Sequence, residues 1–201
     1  MYEFIEGAII EKTPTRVVLK DGGVGYLLLI SVTTFSDLPN LGEVISLKTH
    51  FVVREDVQQL FGFSTDEERN LFRLLISVSG IGPKLGLTVL SGMSISELKR
   101  AIVTGSIATL TSISGIGKKT AERLVVELKE KLVLDEFDVK QDNQASITVE
   151  DQVFEDSLQA LMSLGYRKAQ AKSALEKVLK TEDEASKYAV EDLIRASLKK
   201  I

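Results

Sequence analysis

The sequence contains no cysteine and a single histidine, His50, among its 201 residues. Without cysteine the chain cannot form disulfides, which agrees with a reducing compartment. The histidine lies in a strand-like stretch and has no obvious partner for acid–base chemistry. A structural role is therefore favoured over a catalytic one.

Long apolar segments are also absent, since no run approaches the roughly 18 residues that a membrane span requires. Residues 1–6 are acidic and lack the basic start of a signal peptide. The hydrophobic share of 44% is nevertheless sufficient for buried cores. These features predict a soluble, cytoplasmic protein.

Charge is unevenly distributed along the chain, although the net charge is only −4. Residues 1–63 carry 5 basic and 8 acidic side chains, and residues 135–201 carry 10 and 14. Residues 64–134 carry 10 basic and 7 acidic side chains. A local basic patch in this middle segment fits nucleic-acid binding, whereas a uniformly basic surface is excluded.

A short motif occurs twice in the middle segment, at residues 78–86 and 35 positions later at residues 113–121. Each copy reads as an apolar helix end, a Gly-apolar-Gly turn and a new helix start, so one supersecondary unit is used twice. The glycines permit positive φ, and the N–H groups that open the new helix favour a phosphate. This pattern is typical of helix-hairpin-helix units, which grip a nucleic-acid backbone. The candidate DNA-binding residues are Gly80, Gly82, Lys84, Gly115, Gly117, Lys118 and Lys119.

Other glycine-rich motifs fit less well. A dinucleotide fingerprint needs a third glycine one position earlier than Gly86 or Ala121, and a preceding strand. A Walker A loop needs glycine where Ser112 stands and Ser or Thr after Lys118. The remaining alternative is that the turns are only corners between packed helices.

Residues 1–63 show five short strand-like stretches with a hairpin signal at Asp21-Gly22-Gly23. We expect a small OB-like β-barrel, with another small sandwich or barrel as the alternative. A non-strand piece, residues 33–38, separates the third and fourth strands.

Residues 64–134 predict an all-helical domain. Its first helix follows a capping box, either Ser64 with Glu67 or Thr65 with Glu68. Pro83 starts the second helix and Ser94 with Glu97 caps the third. A short helix over residues 107–113 and a longer one over residues 118–133 complete it.

Residues 135–149 are mostly polar and without a sustained period, which predicts a flexible linker. Residues 150–201 contain three amphipathic stretches and predict a small helical bundle. The Leu164-Gly165-Tyr166 loop resembles that of ubiquitin-associated (UBA-like) bundles. The fold class is thus multidomain α+β: barrel, tandem helix-hairpin-helix domain, linker and three-helix bundle.

This order of parts closely resembles the bacterial RuvA family of Holliday-junction-binding subunits, over the whole chain. The most specific stretches are residues 79–84, residues 115–124, and Arg54-Glu55-Asp56 ahead of residues 59–63. The resemblance implies tetramers, sometimes paired, on which a four-way junction lies open and flat. It implies that Arg123 joins the three lysines in supplying positive charge.

The resemblance further implies that Glu55 and Asp56 form an acidic pin at the crossover, where carboxylates repel phosphates. The residues alone favour an ordinary solvated turn. It also implies that the last domain binds RuvB, a hexameric AAA+ ATPase that drives branch migration in recombination, repair and the SOS response to DNA damage. The RuvC junction resolvase is a further implied partner, and no cofactor or metal is expected. The candidate motor-binding residues are Leu161, Leu164, Tyr166 and Leu198. For the first three, burial in the bundle core is the alternative.

Two other functions compete with junction binding. A helix-hairpin-helix glycosylase needs an acidic residue, usually Asp, soon after the hairpin, yet no aspartate occurs between Asp66 and Asp135. A metal-dependent nuclease needs clustered carboxylates beside the DNA, and the densest acids lie in the C-terminal part. An enzyme is therefore disfavoured, and a plain protein-interaction module is left as the second alternative.

Overall fold

The computed structural model describes residues 2–142, 149–181 and 189–200. The chain forms two compact units, Met1–Glu136 and Phe137–Ile201. The first contains the strands and the middle helices, and the second contains the C-terminal bundle.

Five strands form a closed barrel in the order β1-β2-β3-β5-β4. Neighbouring strands are antiparallel except β3 and β5, which pair in parallel. Helix α1 (Val32–Asp37) connects β3 to β4. This topology confirms the predicted OB-like barrel. The strands are β1 (Phe4–Thr13), β2 (Arg16–Asp21), β3 (Val24–Ile30), β4 (Val44–Val53) and β5 (Gln58–Phe63).

The barrel interior is filled by alternate apolar residues, because successive side chains of a strand point to opposite faces. Gly22, with a φ of 55°, allows the tight turn that pairs Asp21 with Val24. The buried core residues are Ile5, Ile9, Val17, Leu19, Leu28, Ile30, Leu38 and Leu47.

Helices follow the barrel, as predicted, and their starts are capped. The Thr65 hydroxyl accepts the Glu68 N–H of α2 at 3.1 Å, while the Glu68 carboxylate bonds elsewhere, so only half of that predicted capping box forms. The box of Ser94 and Glu97 is complete. The helices are α2 (Asp66–Ser77), α3 (Pro83–Gly92), α4 (Ile95–Val103), α5 (Ile107–Thr111) and α6 (Lys118–Asp142).

Helix α6 is longer than the sequence pattern indicates. Residues 135–142, expected to belong to an irregular linker, are helical. The physical reason is that residues 118–142 contain neither proline nor glycine, so nothing interrupts the backbone hydrogen bonds once the helix has begun. Residues 143–148 of the predicted linker lie outside the described residues, and the next helix begins at Val149.

The barrel and the middle helices share an apolar core. Phe61 and Phe63 of β5 lie with ring centroids 5.2 and 4.9 Å from the ring of Phe72 in α2. All three are fully buried. The predicted boundary at residue 63 therefore falls within one compact unit.

The second unit contains α7 (Val149–Ser163), α8 (Lys168–Thr181) and α9 (Val190–Leu198), as expected for a three-helix bundle. Gly165, with a φ of 97°, ends α7. The N–H of Tyr166 donates to the carbonyl of Leu161 at 3.2 Å and that of Gly165 to Met162 at 3.0 Å, which is a Schellman cap. The buried apolar core consists of Leu158, Leu161, Ala171, Leu175, Val178 and Leu193.

Candidate nucleic-acid interface

The two Gly-apolar-Gly turns have the same backbone conformation. Gly80 and Gly115 have φ values of 95° and 87°, in the left-handed region that side chains other than glycine rarely adopt. Ile81 and Ile116, the apolar residues that follow, are both 4% exposed and anchor the turns in the core. The sequence repeat is therefore also a structural repeat.

Hydrogen bonding repeats in the same way. Three backbone bonds around the first turn recur 35 positions later around the second, with similar lengths. Around the first turn, the N–H of Val78 donates to the carbonyl of Leu75 (3.1 Å), that of Ile81 to Val78 (3.0 Å) and that of Gly86 to Gly82 (2.9 Å). Around the second turn, the N–H of Ile113 donates to the carbonyl of Leu110 (3.3 Å), that of Ile116 to Ile113 (3.1 Å) and that of Ala121 to Gly117 (2.9 Å).

The second glycine of each turn serves a different purpose from the first. Gly82 and Gly117 do not have positive φ, and a Cβ added to either would meet no described atom within 4 Å. Neither conformation nor packing within the described chain requires glycine there. A glycine at such a site leaves the backbone open to close approach by another molecule.

The predicted basic side chains lie beside these open turns. Lys84 is in the first turn of α3, and Lys118 and Lys119 open α6; all three are exposed. Among the described residues, no ion pair involves these lysines. Their charges add to the positive ends of two helix dipoles, so the surface attracts anions.

The two hairpins are fastened to each other. Arg123 of α6 donates from Nη1 to the carbonyl and hydroxyl oxygens of Ser79, at 3.2 and 3.3 Å. Leu85 of α3 lies so close to Gly115 that an added Cβ would be 2.8 Å from its Cδ1. These contacts hold the two turns as one structure, and Arg123 is exposed beside them.

Glu55 and Asp56 occupy the tip of a two-residue turn between β4 and β5. The N–H of Arg54 donates to the carbonyl of Val57 at 2.8 Å, and the N–H of Val57 donates back to Arg54 at 3.4 Å. Both acidic side chains are exposed. The turn therefore presents two carboxylates to the outside of the barrel.

A groove of about 490 Å³ lies between this acidic turn and the first hairpin. Asp56 lines one side, and Gly80, Gly82 and Lys84 line the other. The structure thus brings the acidic turn and the first hairpin together at one surface, while Glu55 and the second hairpin do not line this groove. Its full lining is Val52, Arg54, Asp56, Val57, Gln59, Gly80, Gly82, Pro83, Lys84 and Leu85.

Two polar residues of this groove, Arg54 and Gln59, had no role assigned from the sequence. Gln59 belongs to β5, where it pairs with Val52 of β4, another residue of the groove lining. Arg54 supplies a positive charge directly beside the two acids.

His50 lies in the contact between β4 and α2. Its ring lies edge-on to Phe72, with centroids 5.6 Å apart. Burial lowers the pKa of His50 below its usual value, and the nearby charges of Arg73 and Arg69 lower it further. These contacts agree with the predicted structural role.

The candidate motor-binding residues of the bundle differ in exposure. Leu161 is fully buried, and its proposed role in binding a partner is corrected: it belongs to the core, because its position on α7 faces α8 and α9 residues of the same apolar cluster. Tyr166 is half-buried against that core. Leu164 and Leu198 are 63% and 40% exposed, and Met162 of α7 is a further apolar side chain exposed at the surface.

Metal binding and membrane insertion are two further properties for which the described residues can be searched. No group of three or more His, Cys, Asp or Glu side chains in that part of the chain is arranged to hold a metal ion. No described helix has the length and apolar character needed to cross a membrane.

Comparison with known proteins agrees with this arrangement. Three family profiles match: the RuvA N-terminal domain over residues 1–62, a SAM-like helix-hairpin-helix tandem over residues 72–130 and the RuvA C-terminal domain over residues 152–201. None of these descriptions denotes a catalytic activity.

Full-length relatives are named Holliday junction branch migration complex subunit RuvA. One from Shewanella frigidimarina is 46% identical over 204 residues, with 97% of each chain covered. One from Chlorobaculum parvum is 43% identical over 200 residues, covering 98% of this chain and 97% of the relative. A third, from Prosthecochloris aestuarii, is 40% identical over 201 residues, covering 100% and 98%. The resemblance read from the motifs is confirmed, and the chain belongs to the RuvA family.

Proposed function

We propose that this chain binds four-way DNA junctions by their shape, holds them open and flat, and recruits an ATP-driven motor for branch migration. The observation that carries the proposal is the presence of two equivalent, open glycine turns, the first of which lies across one groove from an exposed acidic turn. The names of the relatives support the same role.

The hairpins would bind the sugar–phosphate backbone rather than the bases. Gly82 and Gly117 lie at the starts of α3 and α6, where backbone N–H groups are open to solvent. Lys84, Lys118 and Lys119 lie beside them and have no ion-pair partner among the described residues. Contacts of this type position a protein on DNA but carry little sequence information. Binding should therefore depend on the geometry of the arms.

The acidic turn would act at the crossover. Glu55 and Asp56 repel phosphates at close range, so they disfavour strands that lie directly over the turn. Arg54 and Lys84 on the same groove attract the strands that pass beside it. Such a pattern of attraction and repulsion would separate the strands of a junction and limit how tightly they are held.

A single acidic turn and one pair of hairpins would serve one arm, so a four-way junction calls for four copies. We infer a homotetramer, and a pair of tetramers where both faces of the junction are covered. The RuvB ATPase would dock on the C-terminal bundle through the exposed Leu164 and Leu198, and the RuvC resolvase would act on the same complex. Since its DNA and motor lie in the bacterial cytoplasm, the chain would act there.

A gel shift at two salt concentrations tests the binding proposal. A labelled four-way junction is compared with a linear duplex of equal length and base composition. We expect the junction to bind more tightly at both concentrations and with little dependence on sequence. Equal affinity for the two DNAs would overturn the proposal.

A truncated chain tests the recruitment proposal. A chain ending at Asp142, the last described residue of α6, retains both hairpins and the barrel. We expect it to bind junctions as the full chain does, yet to fail in ATP-driven branch migration with RuvB. Normal migration by the truncated chain would show that the bundle is not the motor dock.

A further inference from the structure

A buried carboxylate lies where the barrel meets the first hairpin. Glu68, in the first turn of α2, is 1% exposed. Its Oε1 accepts the hydroxyl of Ser31, and its Oε2 accepts the hydroxyl of Thr34 at 2.6 Å. Both hydroxyl residues are fully buried, and they belong to the start of α1 in the barrel.

The hydrogen bonds around Glu68 form a closed network. The Ser31 hydroxyl also accepts the N–H of Thr34 at 2.9 Å and so caps α1. The Thr34 hydroxyl also accepts the N–H of Ser64, which leads into α2, at 3.2 Å. Each hydroxyl therefore donates once and accepts once. A buried carboxylate is tolerated only with such partners, and a satisfied network of this kind is rigid.

Helix α1 bonds to the other helix of the first hairpin as well. The Thr33 hydroxyl donates to the carbonyl of Leu90 at 3.1 Å, and the Val32 N–H donates to the Ser91 hydroxyl at 3.0 Å. Both acceptors lie near the end of α3. One short helix of the barrel thus holds α2 through Glu68 and α3 through its own first residues.

Apolar packing alone would not fix this arrangement. Phe61 and Phe63 contact Phe72 across the same joint, but burial of apolar area is non-directional and tolerates rotation of one part against the other. Hydrogen bonds to a carboxylate demand a narrow range of distances and angles. The Glu68 network therefore restricts the angle at which the first hairpin stands on the barrel, alongside the bond from Arg69 Nη1 in α2 to the Glu3 carbonyl at 3.0 Å.

We propose that Glu68 is a positioning residue for junction recognition. By restricting that angle it restricts the separation, across the groove, between the Gly80 turn and the acidic turn at Glu55 and Asp56. A junction must meet both turns at once, whereas a linear duplex needs only the hairpins. This inference rests on the proposed function, because it explains how the chain would prefer a junction over a duplex.

The test compares Glu68→Gln with Glu67→Gln, a matched change one residue away. Glu67 is exposed and pairs with Lys99 at 2.6 Å, so its variant loses the same charge without touching the network. The side-chain amide nitrogen introduced by Glu68→Gln cannot accept a hydroxyl donor, so the network must break or turn. For Glu68→Gln we expect the junction-over-duplex preference to fall about fivefold or more, the low end of typical coupling between sites. Duplex affinity and its salt dependence should stay at the wild-type level, and Glu67→Gln should leave all three unchanged.

A second measurement follows the joint without DNA. Because the chain has no cysteine, Val53→Cys and Thr88→Cys place two spin labels at exposed sites, on β4 and on α3. Pulsed dipolar spectroscopy should give a narrow distance distribution in the wild-type background and with Glu67→Gln. It should give a broadened or shifted distribution with Glu68→Gln.

Binding is measured at a temperature where circular dichroism shows every variant folded, so that loss of stability alone does not change the preference. An unchanged preference and an unchanged label distance in folded Glu68→Gln would overturn the inference. If that variant does not fold, Thr34→Val removes one hydroxyl donor and carries the same expectations. A wild-type chain without junction preference would instead overturn the proposed function, and the label distances would then report separately on whether Glu68 fixes the joint.

Discussion

Leu85 of the first hairpin lies against Gly115 of the second, so closely that a Cβ on Gly115 would be 2.8 Å from the Leu85 Cδ1. Glycine is therefore required at position 115 for two reasons, the positive φ of 87° and this close contact. Gly117, two residues later, is required by neither. Within one motif, Gly115 is thus required by the structure, whereas Gly117 leaves the backbone open at the surface.

Substitution of the glycines by alanine should separate stability from binding. Gly117→Ala and Gly82→Ala should leave the free energy of unfolding within about 0.5 kcal/mol, as at ordinary surface sites. Both should weaken DNA binding, because a methyl group would stand where the backbone meets a phosphate. Gly115→Ala should destabilise the fold by roughly 2 kcal/mol or more, from the left-handed backbone and the overpacked Leu85. Denaturant titration and a junction gel shift measure the two effects, and full binding by Gly117→Ala would contradict the assignment of an open turn.

Lys118 and Lys119 should contribute through charge alone. Replacing both by alanine should weaken binding to all DNA sequences alike. Each lost phosphate contact should reduce the slope of log affinity against log salt by about 0.9. Lys129→Ala with Lys131→Ala, two exposed lysines farther along α6, is the matched control and should leave the slope unchanged. Equal slopes for the wild type and the Lys118 and Lys119 variant would show that these lysines do not face DNA.

Much of this arrangement was predictable from the sequence because it is local or repeated. The Asp21-Gly22-Gly23 turn and the strand alternation predicted the barrel, and the gapless repeat predicted two equivalent turns. Prediction failed where a side chain's hydrogen-bond partners are distant in the sequence. Glu68 fits a capping box by spacing, yet two hydroxyls from α1, more than 30 residues earlier, take its carboxylate.

The candidate site shows the same division. The positive φ of Gly80 follows from its motif, but its place opposite Asp56 depends on how β4 and β5 pack against the helices. Leu161 and Leu164 are both apolar and three residues apart, and only the packing of the bundle shows that one is buried and the other exposed. Periodicity places residues on a face, while the neighbours of that face come from the whole fold.

The lowered pKa of His50 gives stability a pH dependence. In the unfolded chain His50 titrates near its ordinary value of about 6.5, whereas burial and the charges of Arg73 and Arg69 disfavour its protonation in the folded chain. The unfolded state therefore binds more protons below that value, so stability is full above it and declines as the pH falls towards the folded pKa. Thermal unfolding between pH 7.5 and 5.5 should show this decline in the wild type and less of it in His50→Gln. Identical pH profiles for the two proteins would contradict the assignment.

Ser197 in α9 offers a test of the bundle core. It is fully buried, and its hydroxyl has no hydrogen-bond partner among the described residues. Ser197→Ala should stabilise the bundle by about 1 kcal/mol, because an unsatisfied buried polar group carries a desolvation cost. Ser157 is also buried, but its hydroxyl donates to the Val153 carbonyl at 2.7 Å, so Ser157→Ala should not stabilise. Hydrogen exchange of amides in the bundle measures both, and a less protected bundle in Ser197→Ala would contradict the prediction.

The acidic turn gives the sharpest test of how the proposed complex would release DNA as well as hold it. Glu55→Gln with Asp56→Asn keeps the size of both side chains and removes only their charge. Since the turn is closed by backbone bonds between Arg54 and Val57, its conformation should be retained. Two fewer repulsive charges beside the phosphates should give equal or tighter junction binding at low salt. The preference for junction over duplex should fall, and motor-driven migration should change.

Salt provides the control for this prediction, because exposed charges are screened over about 10 Å at 0.1 M ionic strength. The difference between variant and wild type should therefore shrink as salt rises. Asp21→Asn, at the turn between β2 and β3 of the same barrel, tests whether any lost acid has the same effect and should leave the preference unchanged. Weaker junction binding by the Glu55 and Asp56 variant at low salt would mean that the two acids support the turn itself, since removing repulsion at a phosphate cannot weaken binding.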